Sequence, residues 1–161
     1  MTFATGPDDL PDIATMRSMS GLEFMCELLA GRLSAPPMAA ELNYRLHSVE
    51  DGRVTFRGAP QFRHVNPMGI LHGGWYGTLL NSAMSCAVLT KVPRGSTHST
   101  LEYKVTITRP LPPGIEVRAI GQVSHAGRTT GFATGEIRGV EDDRLYATGS
   151  STCQIMPLPP A

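Results

Sequence analysis

The residues best placed to do chemistry lie between Asn66 and Leu89, in the stretch NPMGILHGGWYGTLLNSAMSCAVL. Gly73 and Gly74 follow His72 at the point where a helical pattern begins. The first N–H groups of a helix have no partner within it, and with the helix dipole they favour a negative or partly negative oxygen. Glycine at such a start lets another group come close to those amides. Further along, Gly77, Asn81 and Ser85 step by four, a spacing that lines them up as a narrow groove of small and polar groups. A mostly apolar helix with such a groove is buried, and the groove admits something.

The elements that must hold these residues can be read on either side. Asn66-Pro67 and Gly69 are turn chemistry and stop any strand arriving from Phe62. Trp75 or Tyr76, Leu79 and Leu80, Ala83 and Met84, and Ala87 and Val88 recur every three or four residues, which predicts a long helix from Gly73 to Thr90. Upstream, Ser20 and Glu23 fit a capping box, and Leu22, Met25, Leu28 and Leu33 extend an apolar stripe, predicting a short helix from Ser20 to Leu33. Leu42 to Val49 and Arg53 to Gly58 alternate around Asp51-Gly52, a hairpin signal. Strands are also expected over Thr97 to Thr108, Ile115 to Ser124, Thr130 to Val140 and Leu145 to Ile155. In the first of these, Leu101, Tyr103, Val105 and Ile107 would face one way, and Thr100, Glu102, Lys104 and Thr106 the other. Successive hairpins make an antiparallel sheet, and one buried helix needs that sheet around it. The fold class is α+β.

Residues 1–15, punctuated by Pro and Asp, read as an irregular segment, 16–157 as a single domain and 158–161 as a tail. A chain of 161 residues with 41% hydrophobic content can bury a core of its own. Fourteen basic and fourteen acidic residues cancel, so nothing argues for nucleic acid or an anionic membrane, although a neutral chain can still hold a local basic patch. Cys26, Cys86 and Cys153 are odd in number and far apart, which reads as reduced thiols in a cytoplasmic protein. No apolar run approaches the ~20 residues of a membrane span. His47, His64, His98 and His125 lack ligand-like spacing, so no metal site is expected.

With the residues placed, Asn66-x-x-Gly69-x-x-His72-Gly73-Gly74, the helix, the strand TLEYKVTITRP and the turn His125-Ala126-Gly127-Arg128 together resemble the hotdog-fold acyl-CoA thioesterases of the PaaI-like family, from about Leu42 to Met156. The resemblance implies an antiparallel sheet curled around one long central helix. It also implies a homodimer, often a dimer of dimers (a homotetramer), with active sites between protomers. It implies an acyl-CoA or aroyl-CoA thioester as substrate and no cofactor, CoA being part of the substrate. Position by position, Gly73 would offer its N–H to the thioester carbonyl, with Gly74 beside it. Asn66 would hold the carbonyl or the loop, and His72 would order that loop. Thr100, on the outward face of its strand, would position water. Gly127, Arg128 and Thr129 would meet the pantetheine or phosphate of CoA, where a guanidinium suits phosphate. Tyr76, Leu80 and Met84 are candidate pocket liners.

One position departs from the family. Where a carboxylate is expected nine residues after the histidine, this chain has Asn81. A carboxamide cannot take up a proton near neutral pH and is a poor nucleophile. Glu102, placed by alternation on the face of Thr100, is the nearest replacement in sequence. Two readings therefore stand: a thioester hydrolase with an impaired base, or a non-catalytic acyl-CoA-binding hotdog protein. The hydratase branch of the fold would want an Asp/His pair that the central segment lacks. A DNA-reading regulator would want more basic chain than the first 40 residues supply.

Overall fold

The computed structural model describes residues 2–159, so Met1 and the last two residues of the expected tail lie outside it. Helix α1 (Ile13–Arg17) opens where Asp12 accepts the Thr15 N–H at 2.7 Å. Helix α2 (Gly21–Leu29) begins with the expected box: Ser20 N–H donates to Glu23 Oε2 at 2.6 Å, and Glu23 N–H to Ser20 Oγ at 3.3 Å. It stops four residues short of the predicted Leu33, because Gly31 turns into the left-handed region at φ 75°. Helix α3 (Pro37–Glu41) follows, then β1 (Tyr44–Glu50), β2 (Arg53–Gly58), α4 (Gly73–Leu89), β3 (Ser96–Ile107), β4 (Val117–Ala126), β5 (Thr130–Gly139) and β6 (Leu145–Pro157). The stretch expected to be irregular thus carries a 3-10 turn at Pro7–Asp9 and most of α1, both with polar caps of their own. Leu158 of the expected tail donates its N–H to the Gly95 carbonyl at 2.9 Å.

All six strands form one antiparallel sheet in the order β1-β2-β4-β5-β6-β3. It wraps α4 as predicted. Leu79, Leu80, Ala83, Met84, Ala87 and Val88 are fully buried, and Val54, Val117, Ala119, Ile137 and Ala147 meet them from the strands. Burying side chains of this size contributes about 1.5–3 kcal/mol each relative to exposure, which is why the helix carries apolar groups nearly all round. The contact is close enough to dictate composition: a Cβ at Gly121 would overlap the Ala83 carbonyl, so only glycine lets β4 lie against the helix there. Tyr76, Leu80 and Met84 are core residues and not pocket liners. Tyr76 hydroxyl accepts the Leu111 N–H at 2.8 Å, while Leu80 and Met84 lie against Gly135 and Gly149.

Among the described residues no helix is long and apolar enough to cross a membrane. β3 lies at one edge of the sheet and β1 at the other.

Candidate active site

The loop before α4 builds itself around Asn66. Its Oδ1 accepts the N–H groups of Met68 at 2.9 Å and Ile70 at 3.2 Å, and its own N–H donates to the Ile70 carbonyl at 2.8 Å. Gly69 completes this turn at φ 76°, a backbone angle that favours glycine. Of the two expected duties of Asn66, holding the loop is the one its oxygen performs.

His72 is the N-cap of α4. Its Nδ1 accepts the Gly74 N–H at 2.9 Å, which requires the ring proton to sit on Nε2. This corrects the expectation of two bare amides: Gly74 is capped internally and has no N–H to offer a substrate. Gly73 N–H is left without a partner among the described residues, at an exposed helix start. One donor remains where two were expected, and the histidine that orders the loop is what removes the other.

At mid-helix, Asn81 meets β3. Thr100 Oγ1 donates to Asn81 Oδ1 at 3.3 Å and lies 3.9 Å from Cys153 Sγ. The cause is a bulge in β3: Thr100 pairs with Cys153 and Glu102 with Thr152, so Leu101 is an extra residue. The inserted residue breaks the period of two, and Thr100 faces the helix together with Tyr103, which lies against Gly77, and Ile107, which lies against Gly73. Strict alternation had placed Thr100 outward.

The same bulge separates Glu102 from Thr100. Glu102 Oε1 accepts from Thr152 Oγ1 at 3.1 Å on the outer face of the sheet, opposite the buried Cys153 and Ser151. A carboxylate behind the sheet does not reach Asn81, so the candidate replacement base is absent from this protomer's site. The cysteines do not replace it either. Burial pushes the Cys86 thiol up to about 12 and also raises Cys153, so both stay protonated and unreactive near neutral pH.

The turn at Gly127, Arg128 and Thr129 joins β4 to β5, closed by Gly127 N–H donating to the Thr130 carbonyl at 2.8 Å. Arg128 is exposed. Register runs from Gly131 to Cys153 to Thr100, which sets this turn at the Thr100 end of the sheet.

The predicted residues therefore fall into two groups. Asn66, His72, Gly73 and Gly74 stand at the N-terminus of α4 beside Ile107. Asn81, Thr100 and the Gly127–Thr129 turn lie toward the other end. Eight residues at ~1.5 Å rise separate Gly73 from Asn81 by about 12 Å along the helix. No single carbonyl can touch both within one protomer.

Two features near the site were not anticipated. Tyr44 hydroxyl and Ser82 Oγ are 2.9 Å apart on the β1 flank of α4, a pairing that joins residues 38 apart and has no local signal. His98 sits beneath α1 and α2 with its Nδ1 buried and without a partner among the described residues, and burial lowers its pKa to about 4.

The family model of the thioesterase superfamily matches residues 68–146, which contain the helix start, Asn81 and Thr100. Acyl-coenzyme A thioesterase 13 of Mus musculus is 28% identical over 90 residues, covering 56% of this chain and 64% of the mouse protein, so the match spans less than two thirds of that relative. A thioesterase family protein from Silicibacter pomeroyi superposes with a TM-score of 0.74 at 24% identity, over 83% of this chain and 99% of the other. The E. coli PaaI protein, from the phenylacetic acid degradation operon, superposes with a TM-score of 0.74 at 19% identity, over 85% of this chain and 96% of the other. At these identities the two structures show the shared fold. Over residues 68–146 the chain is similar to the thioesterase superfamily, and it has the hotdog fold of the PaaI-like thioesterases.

Proposed function

We propose that this protein acts on an acyl-CoA or aroyl-CoA thioester in a site shared by two protomers, with hydrolysis slowed by the amide at position 81. The observation that carries the reading is the single uncapped N–H at Gly73, on a helix start whose neighbouring amide is already tied to His72. An N–H aimed at a carbonyl oxygen stabilises the charge that grows there as water adds, and such donors contribute about 10²–10³-fold to rate.

The 12 Å between Gly73 and Asn81 supports a composite site, because a second copy can bring its own residue 81 to the first copy's helix start. The edge strand β3 supports the same arrangement. It carries 12 residues, with Leu101 60% and Tyr103 49% exposed, and unpaired edges of that length invite a second strand. One protomer would present Gly73 and the Asn66 loop, and the partner its Asn81 and Thr100. Thr100 and Asn81 can hold the attacking water by hydrogen bonds. Neither can take its proton at neutral pH, so the thiolate of CoA leaves from an intermediate formed slowly. Arg128, exposed at the Thr100 end, is free to meet a phosphate of CoA. No cofactor enters this scheme.

A second reading, an acyl-CoA-binding protein without turnover, is favoured by Asn81 itself. The two separate in one experiment that follows free thiol release from a panel of CoA thioesters, with binding measured in parallel. Slow release supports hydrolysis, binding without release supports the second reading, and absence of both defeats the site assignment.

A further inference from the structure

The outer face of the sheet carries a row of like charges that the sequence scatters over nearly a hundred residues. Arg45 pairs with Arg57, Arg57 with Arg118, and Arg118 with Arg138, across β1, β2, β4 and β5. Directly paired residues point to the same face, and the flanking Leu46, Phe56, Val117, Ala119 and Ile137 all point into the core. Four guanidinium groups therefore stand side by side on the outer face, in a row about 14 Å long at ~4.8 Å per strand.

Like charges directly opposite one another destabilise a sheet, and this row is only half compensated. Arg118 pairs with Asp143, and Arg138 with Glu136 at 2.9 Å. At the β1–β2 end, Arg45 and Arg57 make no ion pair among the described residues. Arg57 Nε is buried with no hydrogen-bond partner there. The other outward positions along those two strands are Ser48 and Thr55, both uncharged, and then Glu50, which lies opposite Arg53 at the hairpin end, two outward pairs away from Arg57. Glu116, two residues before Arg118, makes no ion pair among the described residues either.

We infer that Arg45 and Arg57 form a binding site for a diphosphate, the anion whose two adjacent phosphoryl groups match two guanidinium forks one strand apart. Arginine meets phosphate through parallel N–H donors, and a rigid sheet holds the two forks at fixed spacing without ordering a loop. Asp143 and Glu136 neutralise the other half of the row and confine the unpaired charge to the β1–β2 end. The site lies on the opposite side of the sheet from α4, and its argument is independent of the thioester reading.

Titration calorimetry of the whole chain at low ionic strength, where surface electrostatics is least screened, tests this with inorganic diphosphate as the probe and citrate as the carboxylate control. Saturable diphosphate binding that weakens by about tenfold or more in the Arg45→Gln/Arg57→Gln double variant is expected. Citrate should bind distinctly more weakly. Should the double variant fail to fold, Arg45→Gln alone, at the exposed end of the row, should still weaken binding. CoA and dephospho-CoA carry the same diphosphate: competition by both would identify the nucleotide end of CoA as a source of the anion, and its absence would leave a free diphosphate. Absence of saturable binding by the parent, equal affinity for citrate, or undiminished binding by Arg45→Gln and the double variant would overturn the assignment.

Discussion

Replacing Asn81 by Asp exchanges one amide nitrogen for oxygen and leaves the shape of the side chain almost unchanged. The surroundings are already suited to an acceptor, since Thr100 Oγ1 donates to Asn81 Oδ1 at 3.3 Å and would donate equally to a carboxylate. Partial burial would raise the new carboxyl's pKa, while the Thr100 hydroxyl would lower it, and the balance keeps it ionised near neutral pH. General base catalysis contributes about 10²–10⁴-fold, or roughly 3–5 kcal/mol of barrier. Asn81→Asp is therefore expected to raise kcat by that factor, with KM changed only a few-fold because the binding contacts are the same. Thiol release measured against substrate concentration and pH gives both constants, and the variant's rate should fall off in acid as the new carboxylate is protonated. A parent already turning over rapidly, with no gain from Asn81→Asp, would show that proton removal happens elsewhere and refute the reasoning.

Gly73→Pro removes only the N–H: proline is tolerated at the first helical position, and His72 at ψ 134° already has the extended backbone a following proline needs. In the Asn81→Asp background it should cut kcat/KM by about 10²–10³-fold while thermal unfolding shifts little. Gly121→Ala should destabilise by roughly 3 kcal/mol or more, read from denaturant unfolding, because the added carbon overlaps the Ala83 carbonyl. His98, buried and held to about 4 against an unfolded value of ~6.5, stays neutral in the fold while the unfolded chain takes up a proton. Its stability contribution is whole above pH 6.5 and is lost as pH falls toward 4, by about 3 kcal/mol across that window. His98→Phe should flatten that slope in unfolding curves, and an unchanged slope would mean other groups set it.

Where local chemistry decides structure, the sequence was legible. The Ser20/Glu23 box, the Asp51-Gly52 hairpin and the apolar repeat of α4 all sit within one or two turns of the groups they organise. Misreadings arose where the deciding contact is distant or breaks a period. Helices α1 and α3, five residues each, are too short to show a repeat. The bulge at Leu101 has no glycine to announce it, yet it turns Thr100 toward the helix and Glu102 away. His72 reads equally well as a loop or a cap residue, and only the bond from Gly74 shows which amide is spent. The arginine row depends on the register of four strands and is invisible along the chain.

Subunit complementation bears most directly on the shared site. A chain carrying Asn81→Asp with Gly73→Pro has the base but not the donor, and the original chain has the donor but not the base. Co-expressed and mixed, they should form heterodimers in which one of the two sites unites Gly73 with the new carboxylate, restoring about a quarter of the activity of the Asn81→Asp homodimer. A mixture no more active than the average of its two parents would contradict a site built from two protomers.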